Sequence, residues 1–136
     1  MKTCVLYCSH TGNTKHLATA IADLLKAPIF DVATSESSVV DDCDLLIIGT
    51  PVNGLRPAPE AAAYVKNLPE GKGKKTMLFC TYAIRAGGAL KILEKELLQK
   101  GYVNLLSISK RVLKVGKFDA PEVLAAVQKA VEKQQR

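Results

Sequence analysis

The chain has 136 residues, of which 48% are hydrophobic and 24% are charged, and its formal net charge is +6. This length predicts one domain, residues 1–136, that buries about two thirds of its unfolded surface without help from metals or disulfides. The longest apolar run, near Leu45 to Ile48, is too short for a membrane span, and the N-terminus lacks a secretory pattern. We therefore expect a cytoplasmic protein with no membrane insertion.

The charge is unevenly distributed along the chain. Residues 1–65 hold 4 Lys/Arg and 7 Asp/Glu, a net charge of −3, whereas residues 66–136 hold 15 and 6, a net charge of +9. These cations are spread over several predicted elements, which is typical of a solvated surface or of a docking face for an acidic partner. No aromatic residues alternate with the lysines and no nucleic-acid motif is present, so we expect no nucleic-acid partner.

The four cysteines, Cys4, Cys8, Cys43 and Cys80, are scattered along the chain. They form no C-x-x-C pair and have no spacing that would gather iron or zinc. We expect all four to be reduced thiols.

Strand and helix patterns alternate in chain order. The predicted strands cover residues 2–8, 28–32, 45–49, 76–80 and 103–108. The predicted helices cover residues 13–26, 57–68, 88–100 and 119–131, while residues 35–44 fit a short helix or a loop. This alternation predicts a parallel sheet covered by helices on both faces. Ligands of such sheets bind beyond the carboxyl ends of the strands, where the loops 9–14, 50–56 and 81–88 meet.

The loop after the first strand has the chemistry of a phosphate site. Ser9, Thr11 and Thr14 offer hydroxyl donors, Gly12 permits a positive φ, and the next helix begins with unpaired N–H groups. The loop contains no lysine, which a nucleoside triphosphate site would need. It therefore favours a smaller charge, such as one monophosphate.

Three segments together resemble the flavodoxin family. S-H-T-G-N-T at 9–14 resembles the loop that holds the 5′-phosphate of FMN. I-I-G-T-P-V-N-G at 47–54, followed by R-P-A-P-E at 56–60, resembles the first flavin-flanking loop, and F-C-T-Y-A-I-R-A-G-G at 79–88 resembles the second. The resemblance extends over essentially the whole chain and implies a short-chain, doubly wound α/β domain with a five-stranded parallel sheet of order 2-1-3-4-5.

The resemblance also implies which residues would contact FMN. Residues 9–14 would surround the phosphate, and the isoalloxazine ring would lie between residues 50–55 and 81–85. The cofactor-binding residues expected on this basis are Ser9, His10, Thr11, Gly12, Asn13, Thr14, Thr50, Pro51, Val52, Asn53, Gly54, Thr81, Tyr82, Ala83, Ile84, Arg85 and Gly87. His10, at the variable position of the first loop, is expected either to face solvent or to assist the phosphate.

The Gly54–Leu55 peptide falls where flavodoxins flip a backbone carbonyl toward N5 of the reduced flavin. A plain turn at Asn53-Gly54 without a redox role is the alternative interpretation. Two features depart from the family pattern: the chain has no Trp, so Tyr82 is the sole aromatic residue of the flanking loops, and the protein is basic. Arg56 and Arg85 would favour the anionic reduced ring if they face it, and would do little if they face solvent.

Other functions of this architecture lack their required residues. A low-molecular-weight phosphatase needs an Arg six positions after Cys8, where Thr14 stands. A dinucleotide-binding module needs a G-x-G-x-x-G motif after a strand, and this sequence has none. A receiver domain needs an acidic pair after the first strand, where Cys8 and Ser9 stand. We therefore expect an FMN-binding carrier that shuttles electrons between redox protein partners. The alternative is a small FMN-dependent quinone or NAD(P)H oxidoreductase, for which only His10 and Tyr82 offer an acid or base.

Overall fold

A parallel sheet forms the centre of the molecule. The computed structural model of the chain describes residues 1–113 and 118–135. The strands are β1 (Thr3–Tyr7), β2 (Ile29–Asp31), β3 (Leu45–Asn53), β4 (Arg56–Pro57), β5 (Lys75–Tyr82) and β6 (Val103–Arg111). The parallel strands follow the order β2-β1-β3-β5-β6, and the short β4 pairs with β3 alone. The predicted order is thus confirmed, with β4 as an addition.

Helices cover both faces of this sheet. They are α1 (Asn13–Leu25), α2 (Pro59–Lys66), α3 (Ala89–Gln99) and α4 (Pro121–Gln134). Successive strand residues point to opposite faces: Val5 packs with α1 and α4, whereas Leu6 packs with α2 and α3. The molecule is therefore a doubly wound α/β fold. Within the described residues, none of these helices is long and apolar enough to span a membrane.

The main difference from the predicted elements lies after the third strand. The sequence predicts a loop from residue 50, but β3 continues to Asn53, because Thr50 and Pro51 stay paired with β5 and the last two residues pair with β4. The chain then reverses, and β4 pairs antiparallel with the end of β3, Asn53 opposite Arg56. A 3₁₀ helix, Ser37–Val40, occupies the segment for which a short helix or a loop was predicted.

The expectation of four reduced thiols is wrong for one pair. Cys4 and Cys43 form a disulfide, with their Cα atoms 6.1 Å apart, a separation within the usual range for such bonds. Cys4 lies on β1, and Cys43 lies just before β3, the strand that pairs with β1. Sheet pairing brings together two residues that are 39 positions apart. Cys8 and Cys80 are free and buried.

Thiol titration with Ellman's reagent checks this pairing. We expect no rapid reaction in the native protein, because the exposed fractions of Cys8 and Cys80 are 4% and 0%. The two free thiols should react in denaturant, and all four after reduction. Four reactive thiols in unfolded, unreduced protein would contradict the disulfide.

Candidate functional site

The loop between β1 and α1 gathers backbone donors at the start of a helix. The N–H groups of Gly12 and Lys15 both donate to Ser9 Oγ, at 3.1 and 3.3 Å. Gly12 has a φ of +96°, a backbone conformation that is unfavourable for residues with a side chain. The first turn of α1 carries no acidic residue, so the positive end of its dipole is not neutralised from within the helix. The same donors can serve an anionic oxygen.

Thr14 joins this first loop to the end of β5. Its side chain is 1% exposed, and its Oγ1 lies 2.8 Å from Oγ1 of Thr81 in a hydrogen bond. The sequence predicts that the Thr14 hydroxyl faces a phosphate, whereas the structure places it against Thr81. Thr11, by contrast, is exposed. The Thr14–Thr81 contact fixes the distance between the first and third loops.

The hairpin between β3 and β4 has two central residues in the left-handed region. Gly54 has a φ of +58° and Leu55 a φ of +67°. Two positive φ values in a two-residue hairpin define a type I′ turn. Glycine adopts this conformation readily, but a bulky residue such as leucine does so rarely. The turn is thus centred on Gly54–Leu55, one residue later than the plain Asn53-Gly54 turn considered from the sequence.

Gly87 holds this hairpin against the third loop. Its φ is +59°, and an added Cβ would lie 2.7 Å from both Cα and O of Leu55. The neighbouring Gly88 N–H donates to the Leu55 carbonyl at 3.1 Å. The two flanking loops therefore pack directly on each other, and only glycine permits this close approach.

Two adjacent clefts run along the carboxyl ends of the strands. The larger, of about 360 Å³, is lined by Val52, Gly54, Leu55, Tyr82, Ala83, Ile84 and Arg85. The smaller, of about 250 Å³, is lined by Thr11, Asn13, Pro51, Val52, Thr81, Tyr82, Ala83, Val112 and Leu113. Val52, Tyr82 and Ala83 line both. The clefts thus extend from the first loop to the tip of the third.

Some predicted site residues do not line these clefts. They are Ser9, His10, Gly12, Thr14, Thr50, Asn53 and Gly87. Thr50 is buried, donates from Oγ1 to the Pro51 carbonyl at 2.9 Å and accepts from the Ala58 N–H at 3.0 Å. Its hydroxyl therefore stabilises the turn toward α2.

Several residues near the clefts are absent from the predicted set. Val112 and Leu113 contribute to the lining of the smaller cleft, and Arg111 donates from Nε to the Ala83 carbonyl at 3.1 Å. Leu55, within the range 50–55 expected to flank the ring, lines the larger cleft. The sequence predicted that the last strand ends at Ile108, whereas β6 continues to Arg111 and carries the following residues to this edge. Arg85 lines the larger cleft, but Arg56 lines neither.

A cluster of Cys8, His10 and Glu60 lies on the α2 side of the first loop. Glu60 Oε2 accepts hydrogen bonds from His10 Nε2 at 2.8 Å and from Cys8 Sγ at 3.2 Å. The bond from His10 has the larger effect, and both bonds lower the pKa of the Glu60 carboxyl. Burial, followed by the bond to Glu60, raises the pKa of the Cys8 thiol to about 12. Cys8 is therefore a protonated thiol at neutral pH, unlike the nucleophile of a phosphatase.

Most of the chain matches one protein family. Residues 4–114 match the flavodoxin domain family. The chain belongs to the flavodoxin family. Family membership implies flavin binding. No curated protein sequence shows significant similarity to this chain.

Solved flavodoxin structures share the whole fold with this family member. A short-chain flavodoxin associated with a non-canonical PDU bacterial microcompartment superimposes with a TM-score of 0.82 and 15% identity over 100% of both chains. Oxidised flavodoxin 1 from Bacillus cereus gives a TM-score of 0.78 and 19% identity over 100% of this chain and 99% of the other. Rubredoxin oxygen:oxidoreductase from Desulfovibrio gigas gives 0.77 and 15%, over 96% of this chain but 34% of the enzyme. At these identities the likeness establishes the fold.

Proposed function

We propose that this protein binds one FMN and transfers electrons between redox protein partners. The observation that carries the proposal is the pair of clefts that share Val52, Tyr82 and Ala83 and reach from the first loop to Arg85. The smaller cleft reaches Thr11 and Asn13 of the first loop, and the larger cleft is lined mainly by apolar and aromatic side chains. This polarity matches a molecule with a phosphate at one end and a flat ring at the other.

The phosphate end has two backbone donors at the start of a helix. The N–H groups of Gly12 and Lys15 converge on one oxygen, Ser9 Oγ, at the start of α1. A phosphate oxygen that displaced Ser9 Oγ would receive the same donors and would lie at the positive end of the α1 dipole. Thr11 would add a hydroxyl from the exposed side of the loop.

The ring end fits an aromatic group. Tyr82 is half-buried and lines both clefts, and Val52 lies on the wall formed by the other loop. Bound FMN would supply the redox chemistry, because it accepts and releases electrons one or two at a time. The chain itself would hold the ring, limit its contact with water and adjust its electrostatic surroundings, with Arg85 as the cation that lines the cleft.

The hairpin tip is suited to a change of peptide orientation. A flip of the Gly54–Leu55 peptide converts a type I′ turn to type II′, in which only the first central residue keeps a positive φ. Leu55, now at a φ of +67°, would then return to the negative region that leucine prefers. Gly54 tolerates both turns. The chain thus offers a backbone carbonyl or N–H to the ring at little conformational cost.

Titration of flavin-free protein with FMN and with riboflavin tests the proposal. Riboflavin lacks the phosphate, so the first loop would lose its charged acceptor. Each charge-assisted hydrogen bond contributes about 1.5–3 kcal/mol, and we expect riboflavin to bind at least about a hundredfold more weakly than FMN. Equal affinities would show that the first loop does not hold a phosphate.

Tyr82→Ala tests the ring end. Aromatic stacking adds about 0.5–1.5 kcal/mol beyond burial, so we expect FMN binding to weaken by roughly two- to tenfold or more and the fluorescence of bound flavin to rise. Tyr102→Phe is the control, because Tyr102 is buried with its hydroxyl on the Pro69 carbonyl and lines neither cleft. Unchanged flavin fluorescence in Tyr82→Ala would place the ring elsewhere.

The residues around the clefts favour a carrier over an enzyme. His10 is engaged with Glu60 on the α2 side, which leaves Tyr82 as the acid or base candidate among the described cleft residues. Steady-state assays of FMN-loaded protein with NAD(P)H and a quinone separate the two functions. A carrier should show no saturable turnover, whereas saturable turnover would establish the oxidoreductase.

The mouth of the clefts is suited to a protein partner. Ile84 and Leu113 are 83% and 76% exposed, and Arg85 and Arg111 lie beside them. Exposed apolar side chains with flanking cations favour transient contact with an acidic surface. An acidic redox partner is therefore part of the proposal, and a cytoplasmic location stays a prediction.

A further inference from the structure

Three side chains of different chemistry converge beside the first loop, outside the clefts. Cys8 Sγ lies 3.8 Å from His10 Nε2 and 3.2 Å from Glu60 Oε2, and the latter two atoms are 2.8 Å apart. The two separations from Sγ are within about 0.2 Å of the roughly 3.3–3.6 Å between neighbouring ligands of a tetrahedral Zn²⁺ ion, and Nε2 and Oε2 would have to move apart by about 0.5 Å. Small movements of the side chains would open a central position for a metal.

We propose that Cys8, His10 and Glu60 bind a divalent transition-metal ion such as Zn²⁺. A thiolate, an imidazole and a carboxylate are the donors that Zn²⁺ takes in proteins, and three of them leave a fourth position for water. On binding, the sulfur forms a bond to the metal and its proton passes to solvent. His10 Nε2 gives up the proton that it shares with Glu60, so that the neutral ring carries its proton on Nδ1, and Nε2 and Glu60 Oε2 then bind the same ion.

The backbone holds two of these ligands rigidly. The Cys8 N–H donates to the Gly49 carbonyl of β3 at 3.0 Å, which fixes the end of β1. Glu60 lies in the first turn of α2, and Ala58 before it is buried and donates to Thr50 Oγ1. His10, two residues after Cys8, supplies the third ligand from the loop. Such pre-positioning reduces the conformational entropy lost on binding.

The exposed side of the cluster gives the ion a route of entry. The Cys8 side chain belongs to the hydrophobic core on the α2 and α3 side of the sheet. The side chains of His10 and Glu60 are 44% and 49% exposed. The sulfur therefore forms the floor of the site and the other two ligands form its rim. A metal held there would join the first loop to α2.

Calorimetric titration of the full-length protein with ZnCl₂, without reductant, tests the proposal. We expect one Zn²⁺ per chain and at least about a tenfold loss of affinity in Cys8→Ser, His10→Gln and Glu60→Gln. His16→Gln is the matched control, because His16 lies on α1 with its ring nitrogen on the Phe118 carbonyl. Wild-type affinity in the three variants, or no binding by the wild type, would overturn the site.

Titration of flavin-free protein with CoCl₂ identifies the sulfur ligand. A thiolate bound to Co²⁺ gives a near-ultraviolet charge-transfer band, which should disappear in Cys8→Ser and persist in Cys80→Ser. A band that disappears with Cys80 instead would overturn the assignment. If Cys8→Ser fails to fold by circular dichroism, the exposed His10→Gln and Glu60→Gln variants decide by their Zn²⁺ affinities.

Discussion

Gly87→Ala is expected to separate the two loops that flank the clefts. The new Cβ would lie 2.7 Å from Cα and O of Leu55, and the φ of +59° would become strained. Overpacking costs about 1–3 kcal/mol, and a left-handed alanine adds roughly 1 kcal/mol or more. We expect the free energy of unfolding in urea to fall by about 2–4 kcal/mol and FMN affinity to fall at least about tenfold.

Gly88→Ala is the control for this variant. A Cβ at Gly88 would meet nothing within 4 Å, and its φ is −94°. The change should cost below about 1 kcal/mol, as expected for alanine at a helix N-cap, and leave FMN affinity near that of the wild type. Equal effects of the two substitutions would show that contact with Leu55 is not the cause.

Gly49→Ala is expected to destabilise the centre of the sheet. Gly49 on β3 lies opposite Phe79 on β5, and an added Cβ would overlap the Phe79 ring, with Cε1 at 2.6 Å. Both residues are in the middle of the sheet, where neighbours on either side limit relaxation. We expect the free energy of unfolding to fall by about 3 kcal/mol or more, measured by urea unfolding followed by circular dichroism.

A double-mutant cycle with Phe79→Leu isolates that contact. The smaller leucine side chain makes room for the new methyl group, so the double variant should be more stable than the sum of the single changes predicts. Strict additivity would contradict a clash with the ring. Because Gly49 and Phe79 line neither cleft, this pair tests the fold separately from the proposed function.

The arrangement of the loops is where prediction from sequence succeeded. Alternating strand and helix patterns require parallel strands, and parallel strands place the ends of β1, β3 and β5 at one edge. Hydroxyl groups and glycine in residues 9–14 and the aromatic Tyr82 of the third loop lie at that edge, and the binding of FMN by these residues stays a prediction. Local periodicity and residue chemistry were sufficient for these conclusions.

The limits of the strands were less predictable. β3 and β6 extend beyond their predicted ends at residues 49 and 108, to Asn53 and Arg111. A strand continues as long as its neighbour offers backbone partners, and β5 provides them on both sides. Pairing between strands cannot be read from a local sequence pattern. The extended β3 pairs with β4 in a hairpin, and the extended β6 brings Val112 and Leu113 to the smaller cleft.

The amino-acid sequence by itself determined the alternation of strands and helices and the edge at which the loops meet, because these depend on periodicity and on motifs within single segments. The strand order followed from the resemblance of those motifs to the flavodoxin family. Tertiary structure alone decided the contacts between segments. The Thr14–Thr81 bond joins residues 67 positions apart, the His10–Glu60 bond 50, and the Cys4–Cys43 disulfide 39. Such pairs form only when strand register and helix packing place both partners within a few ångströms of each other. Neither the register nor the packing can be read from the sequence around each partner.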